Sequence, residues 1–219
     1  MTSYNGKNIY NEGAGGGGGD EGLPVGEIVE FPSGYTPLEK IVFEGRKAER
    51  ISIPFTGYRS SFNTTENTFV LTAKVNNINR TCRFILLMPL SPSNQIYFNG
   101  FNYCIMESAD SFRNVFINNQ NEFKNKFNIS YKYNRTSLND HIENIPYFTT
   151  INSITSFNIG DWNTSTNVNN NYMEIYAAKV YDPSSNMIFL GVPAFDESNQ
   201  IDGLLDLITN EFFPHEWNT

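Results

Sequence analysis

From residue 40 onward, apolar and polar positions alternate in short runs with a period of two, the pattern of half-buried strands. Lys40-Ile41-Val42-Phe43-Glu44, Ile51-Ser52-Ile53-Pro54-Phe55 and Phe69-Val70-Leu71-Thr72-Ala73-Lys74-Val75 follow it. Phe127-Asn128-Ile129-Ser130-Tyr131-Lys132-Tyr133 follows it most cleanly. Cys82 to Met88 is apolar almost throughout and predicts a strand buried on both faces. Ile96-Tyr97-Phe98 and Phe101-Asn102-Tyr103-Cys104-Ile105 flank Asn99-Gly100, which predicts a hairpin closed by a two-residue turn. Tyr147 to Phe157 predicts two more strands. Tyr172 to Tyr181 and Met187 to Ala194 predict a long pair joined across Asp182-Pro183-Ser184-Ser185-Asn186. Helix signals are confined to Asp110-Ser111-Phe112-Arg113 and Asp202-Gly203-Leu204-Leu205-Asp206-Leu207, enough for a turn or two each.

Many short strands at a spacing of about 8–12 residues predict an antiparallel sandwich. Aromatic residues make up 15 % of the chain. A single sheet would leave them uncovered, so two facing sheets are required. The expected fold class is all-β, an antiparallel two-sheet jelly-roll sandwich over residues 40–219 with an extended arm over residues 1–39.

The arm breaks the period. Gly13-Ala14-Gly15-Gly16-Gly17-Gly18-Gly19 cannot hold a helix or strand at reasonable entropic cost. Glu27-Ile28-Val29-Glu30-Phe31 is a short extended piece before the turn signals Pro32-Ser33-Gly34 and Pro37. Stretched out, some ~35 residues reach on the order of 110 Å. Isolated anchors punctuate the arm: Tyr4, Ile9, Tyr10, Val25, Ile28 and Phe31. Such spacing suits docking of an extended segment on a partner surface.

Charge narrows the partners. The 219 residues carry 15 Lys and Arg against 23 Asp and Glu, a net charge of −8. Nucleic acid is therefore not expected as a partner, because phosphate binding takes a basic patch. The local cluster Arg46, Lys47 and Arg50 is diluted by Glu44 and Glu49. The longest strongly apolar run, Phe84 to Met88, falls far short of the ~18 residues of a membrane helix, so no membrane is expected. Met1-Thr2-Ser3-Tyr4-Asn5 opens no secretory signal. Cys82 and Cys104 read as buried free thiols rather than a disulfide framework or zinc site. Five N-x-S/T triplets fall in a chain with 31 Asn, and composition accounts for them.

Catalytic constellations are absent from the sequence. There is no G-x-S-x-G, no H-E-x-x-H and no P-loop, and the glycine run lacks the strand–helix context of a phosphate cradle. His141 reads as a loop residue and His215 as a surface residue. A glycosidase needs two acids on one face, ~5–9 Å apart, and no strand carries an E-x-D spacing that would supply them. Asp182, Asp196 and Asp202 fall at predicted turns without the ligand spacing of a calcium loop. The chain is expected not to be an enzyme, and no cofactor or metal is implied. Gly160 to Asn171 offers a small-ligand alternative, since an exposed indole ringed by amides and a carboxylate suits sugars. Asp161, Trp162 and Asn163 are its candidate glycan-binding residues, with surface glycans as the ligand.

The C-terminal stretch has a recognisable cadence: Ile175-Tyr176-Ala177-Ala178-Lys179-Val180-Tyr181-Asp182, Val192-Pro193-Ala194, Asp202-Gly203-Leu204-Leu205-Asp206 and Phe212-Phe213. It resembles the last strands of concanavalin A-like (laminin-G-type) jelly-roll domains in structural and appendage proteins of tailed bacteriophages. Leu205 stands where that family often has Tyr. The resemblance covers residues 172–213 and does not reach the arm. It implies a long terminal hairpin, a tight turn at Gly203-Leu204 and final aromatics that plug the sandwich edge. It brings no catalytic residues. The function it implies is that of a virion structural protein, either a capsid auxiliary or decoration protein or a head or tail fibre component. Its partners would be other virion proteins of capsid or tail, with a trimer or dimer of the chain itself. Such a protein is made in the host cytoplasm and located in the virion.

Overall fold

The computed structural model describes residues 31–55, 67–88, 95–99, 103–108, 111–132, 135–144, 156–161 and 171–218. Its strands are β1 (Tyr35–Pro37), β2 (Ile41–Glu44), β3 (Arg50–Pro54), β4 (Thr68–Val75), β5 (Thr81–Met88), β6 (Gln95–Asn99), β7 (Tyr103–Ser108) and β8 (Ser111–Val115). They continue as β9 (Phe127–Lys132), β10 (Arg135–Leu138), β11 (His141–Asn144), β12 (Ser156–Gly160), β13 (Tyr172–Tyr181), β14 (Met187–Asp196), β15 (Ile201–Asp206) and β16 (Glu211–Glu216). The first sheet runs β11-β10-β9-β4-β13-β14-β15-β16, and the second runs from β16 through β3-β12-β5-β6-β7-β8. Every pairing recorded between these strands is antiparallel. The fold is an all-β sandwich.

The two sheets share one strand. Glu211 to Pro214 pair with Asp206 to Gly203 of β15, and His215 and Glu216 then pair with Ile51 and Arg50 of β3. Pro214 sits where the ladder changes partner, a position that tolerates a residue with no N–H to donate. At the other flank, the long strands β13 and β14 diverge. β2 fills the gap along β13, and β1 pairs with β14 at Asp196, Phe195 and Ala194. Thus Tyr35–Pro37, placed in the arm by the sequence, belongs to the body's sheet.

The core follows the two-residue period. Phe69, Leu71, Ala73 and Val75 of β4 point inward, opposite Ile51, Ile53, Phe157 and Ile159 of the second sheet. Phe69 meets Phe157 edge-on across the gap at 5.5 Å. A 3-10 helix over Ile117–Lys124, not foreseen from the sequence, inserts Phe123 between Phe84 and Phe127, with ring centroids at 5.9 and 4.9 Å. A second apolar cluster lies on the outer face of the first sheet, where Leu190, Val192, Ala194 and Leu205 are covered by Phe31, Tyr35 and Phe212 among others.

Several expectations are corrected. The segments predicted to be helical at residues 110–113 and 202–207 contribute strands β8 and β15. In β15, Leu204 faces the main core and Leu205 the outer cluster, so an apolar pair that mimics a helical period is a strand buried on both faces. For the same reason Gly203-Leu204 makes no tight turn. Strands β6 and β7 pair as expected, but Phe98 is opposite Tyr103 and not Phe101, so the two-residue Asn99-Gly100 turn is not the one formed. His141 opens a strand rather than lying in a loop.

Candidate functional site at the sheet seam

The described polar groups converge where β16 passes from one sheet to the other. His215 follows Phe213 on the inward side of β16 and is 1 % exposed. Its Nε2 lies 3.0 Å from Oε1 of the fully buried Glu49, and its Nδ1 lies 3.2 Å from Oδ2 of Asp202. Glu49 ends the turn before β3 and also accepts backbone N–H bonds from Glu44 (3.1 Å) and Arg46 (2.8 Å). The Phe43 ring stacks on the imidazole with centroids 4.4 Å apart, and Trp217 meets it edge-on at 5.1 Å. Burial alone would lower the His215 pKa. The hydrogen bonds and charges of Asp202 and Glu49 outweigh it and raise the pKa above its ordinary value.

A second buried pair adjoins this one. The Asp161 N–H donates to the Glu49 carbonyl at 2.8 Å, and the Asp161 carboxylate pairs with Arg83. Burial pushes the Asp161 carboxyl up, against the pull of Arg83 and Asn171. Gly160, at φ +87°, makes the approach possible, since a Cβ there would lie 2.3 Å from the Glu49 carbonyl oxygen and 2.7 Å from the Phe43 ring.

Outside this buried layer opens a cleft of about 430 Å³ lined by Arg50, Ile201, His215, Glu216 and Trp217. Arg50 and Glu216 form an ion pair at 2.9 Å on its rim. The Arg46 guanidinium lies 4.0 Å from the centroid of the Trp217 ring. The cleft offers an indole beside one donor-rich and one acceptor-rich side chain.

The sequence-predicted residues fare unevenly. Asp161 is fully buried and tied to Arg83, so it offers no carboxylate to a surface ligand. Trp162 and Asn163 lie outside the described residues, as do Tyr4, Ile9, Tyr10, Val25 and Ile28. Phe31 packs, partly buried, on the chain's own outer cluster. His215 is the main correction, because the residue expected at the surface is a buried hub. A period-two reading of Phe213-Pro214-His215 would have put it on the core face, but proximity to Glu49, 166 positions away, leaves no local trace.

Other carboxylates serve turns and the sheet surface. Asp196 accepts from Ser198 and Asn199, which lowers its pKa to about 2, and Asp182 accepts from Asn186 at 2.8 Å. Asp206 receives the Leu190 and Ile208 N–H groups at 3.1 Å and the Thr209 hydroxyl at 2.6 Å. Glu174 is buried, yet hydrogen bonds from Tyr176 and Lys40, with the charge of Lys74 nearby, keep its carboxyl below the usual range. Among the described residues, no three His, Cys, Asp or Glu side chains are grouped so as to hold a metal. No helix among the described residues is long and apolar enough to cross a membrane.

No protein-family model matches the chain, and no curated protein matches it. Among solved structures it is similar to a tryptophan-to-alanine mutant of HCR D/C VPI 5995, with a TM-score of 0.39 and 10 % sequence identity. The similarity covers 62 % of this chain and 38 % of that one.

Proposed function

We propose that the chain is a non-catalytic structural protein of a tailed-bacteriophage virion, a rigid β-sandwich held on a larger assembly by residues 1–30. The observation that supports this reading is the attachment of the arm's base. β1 is bonded to β14, Phe31 is seated on the outer cluster, and the glycine run lies upstream of both. A partner that holds residues 1–30 would therefore be joined to a sheet and not to a loop. The described carboxylates support it as well, since those of Asp182, Asp196 and Asp206 cap turns and those of Glu49 and Asp161 are locked in buried pairs. The C-terminal resemblance supplies the phage assignment. Capsid or tail proteins are the proposed partners, contacted through Tyr4, Ile9, Tyr10, Val25 and Ile28, with several copies adding avidity.

Immunogold labelling of phage particles against this chain tests the reading. Full-length protein is expected on particles, and a variant lacking residues 1–30 is expected to fold yet be missing from them. Label confined to the soluble fraction, or full occupancy by the truncated variant, overturns it.

The seam cleft favours a second reading, a glycan-binding module. The two oppositely charged side chains on its rim are paired. Arg50 and Glu216 neutralise one another, and two carboxylates flank His215. A neutral polyol can use the paired donor and acceptor while its C–H face rests against indole. Trp217→Ala is then expected to abolish binding on a glycan array, and a parent that binds no glycan removes this reading.

A further inference from the structure

The imidazole of His215 has two nitrogens on opposite edges of one ring, and each faces a carboxylate from a different sheet. Glu49 belongs to the turn that leads into β3 of the second sheet, and Asp202 lies in β15 of the first. Both nitrogens can donate at once only in the protonated ring. A neutral ring keeps one N–H and turns a lone pair toward the other carboxylate, a repulsive contact.

We propose that the proton on His215 is a clasp across the seam, tying Glu49 to Asp202 when present and freeing Asp202 with the Ile201 end of β15 when lost. The two carboxylates are not equivalent, which sets the direction of release. Glu49 is fully buried, and stranding a buried carboxylate is costly. The Asp202 side chain is 29 % exposed and can turn to water. The neutral ring therefore keeps its N–H on Nε2 toward Glu49, and the Asp202 contact opens.

The remaining groups around the ring do not replace the clasp. On β3, Arg50 is paired with Glu216 of β16. On the turn, Arg46 is paired with Glu44 and lies over Trp217. At the end of β12, Asp161 is paired with Arg83 of β5 and adds negative charge near Glu49. Phe43, stacked at 10° to the imidazole, favours the charged ring through its π face.

The sign follows from the raised pKa. The clasp's contribution to stability is fully present below the unfolded value of about 6.5 and is lost as pH rises through the higher folded value. The chain has only two histidines, so their NMR titrations can be followed in the full-length protein and told apart with His141→Gln. His215 is expected to lose its proton above pH 6.5, and amide protection factors at residues 201–203 should fall on the order of 10-fold over the same range. In Asp202→Asn the His215 midpoint should fall and the step in protection should vanish. A wild-type midpoint at or below 6.5, or protection at 201–203 indifferent to the state of His215, overturns the clasp. The wild-type titration and exchange decide the matter even if the variant folds poorly.

Discussion

At the scale of single residues, backbone geometry and burial make the sharpest demands. Gly160 combines a positive φ with a backbone approach that leaves no room for a methyl group. Gly160→Ala should cost about 2–4 kcal/mol, from left-handed strain plus overpacking against the Glu49 carbonyl, and thermal unfolding would show it as a clear fall in Tm. Cys82 is fully exposed to neither water nor reagent: it is buried, and burial pushes its thiol up to about 12. Its sulfur approaches the Tyr172 carbonyl oxygen at 3.6 Å. Peptide mapping after iodoacetamide treatment at pH 8 should find Cys82 unmodified in the native protein and labelled after denaturation. That thiol was readable in the sequence as a core residue. The role of Gly160 was not, because nothing within a few positions of it announces the Glu49 carbonyl.

At the scale of elements, the strands with a strict two-residue period were legible almost to their ends, and β4 and β9 alternate between buried and half-buried positions throughout. Strands buried on both faces were not. Leu204 and Leu205 serve different clusters on opposite sides of one sheet, and only the presence of the outer cluster distinguishes that pattern from a helical turn. The turn from β15 to β16 depends on Asp206, whose buried carboxylate gathers two backbone N–H groups and a hydroxyl. Asp206→Ala strands those donors and should cost about 2–4 kcal/mol in denaturant unfolding. A loss below 1 kcal/mol would mean that water replaces the carboxylate.

At the scale of the whole molecule, the sandwich is closed by a strand that both sheets own and by an N-terminal segment laid against the first sheet. Two truncations separate the arm from its base. A chain starting at residue 31 retains Phe31 and β1 and should keep the parent's Tm. A chain starting at residue 39 loses Phe31 and the stacking of Tyr35 on Phe212 at 5.4 Å, and uncovers part of the outer cluster. It should lose about 2–4 kcal/mol, the worth of two aromatic side chains returned to water. Equal stability of the two truncated chains would detach β1 from the sandwich.

The amino-acid sequence alone determined the all-β class and most strand positions, because period-two alternation acts over a few neighbouring residues. The tertiary structure alone decided that β16 joins two sheets, that Leu205 needs a second apolar cluster, and that His215 is clasped between Glu49 and Asp202. Those outcomes depend on atoms brought together from distant parts of the chain, and local patterning holds no record of them.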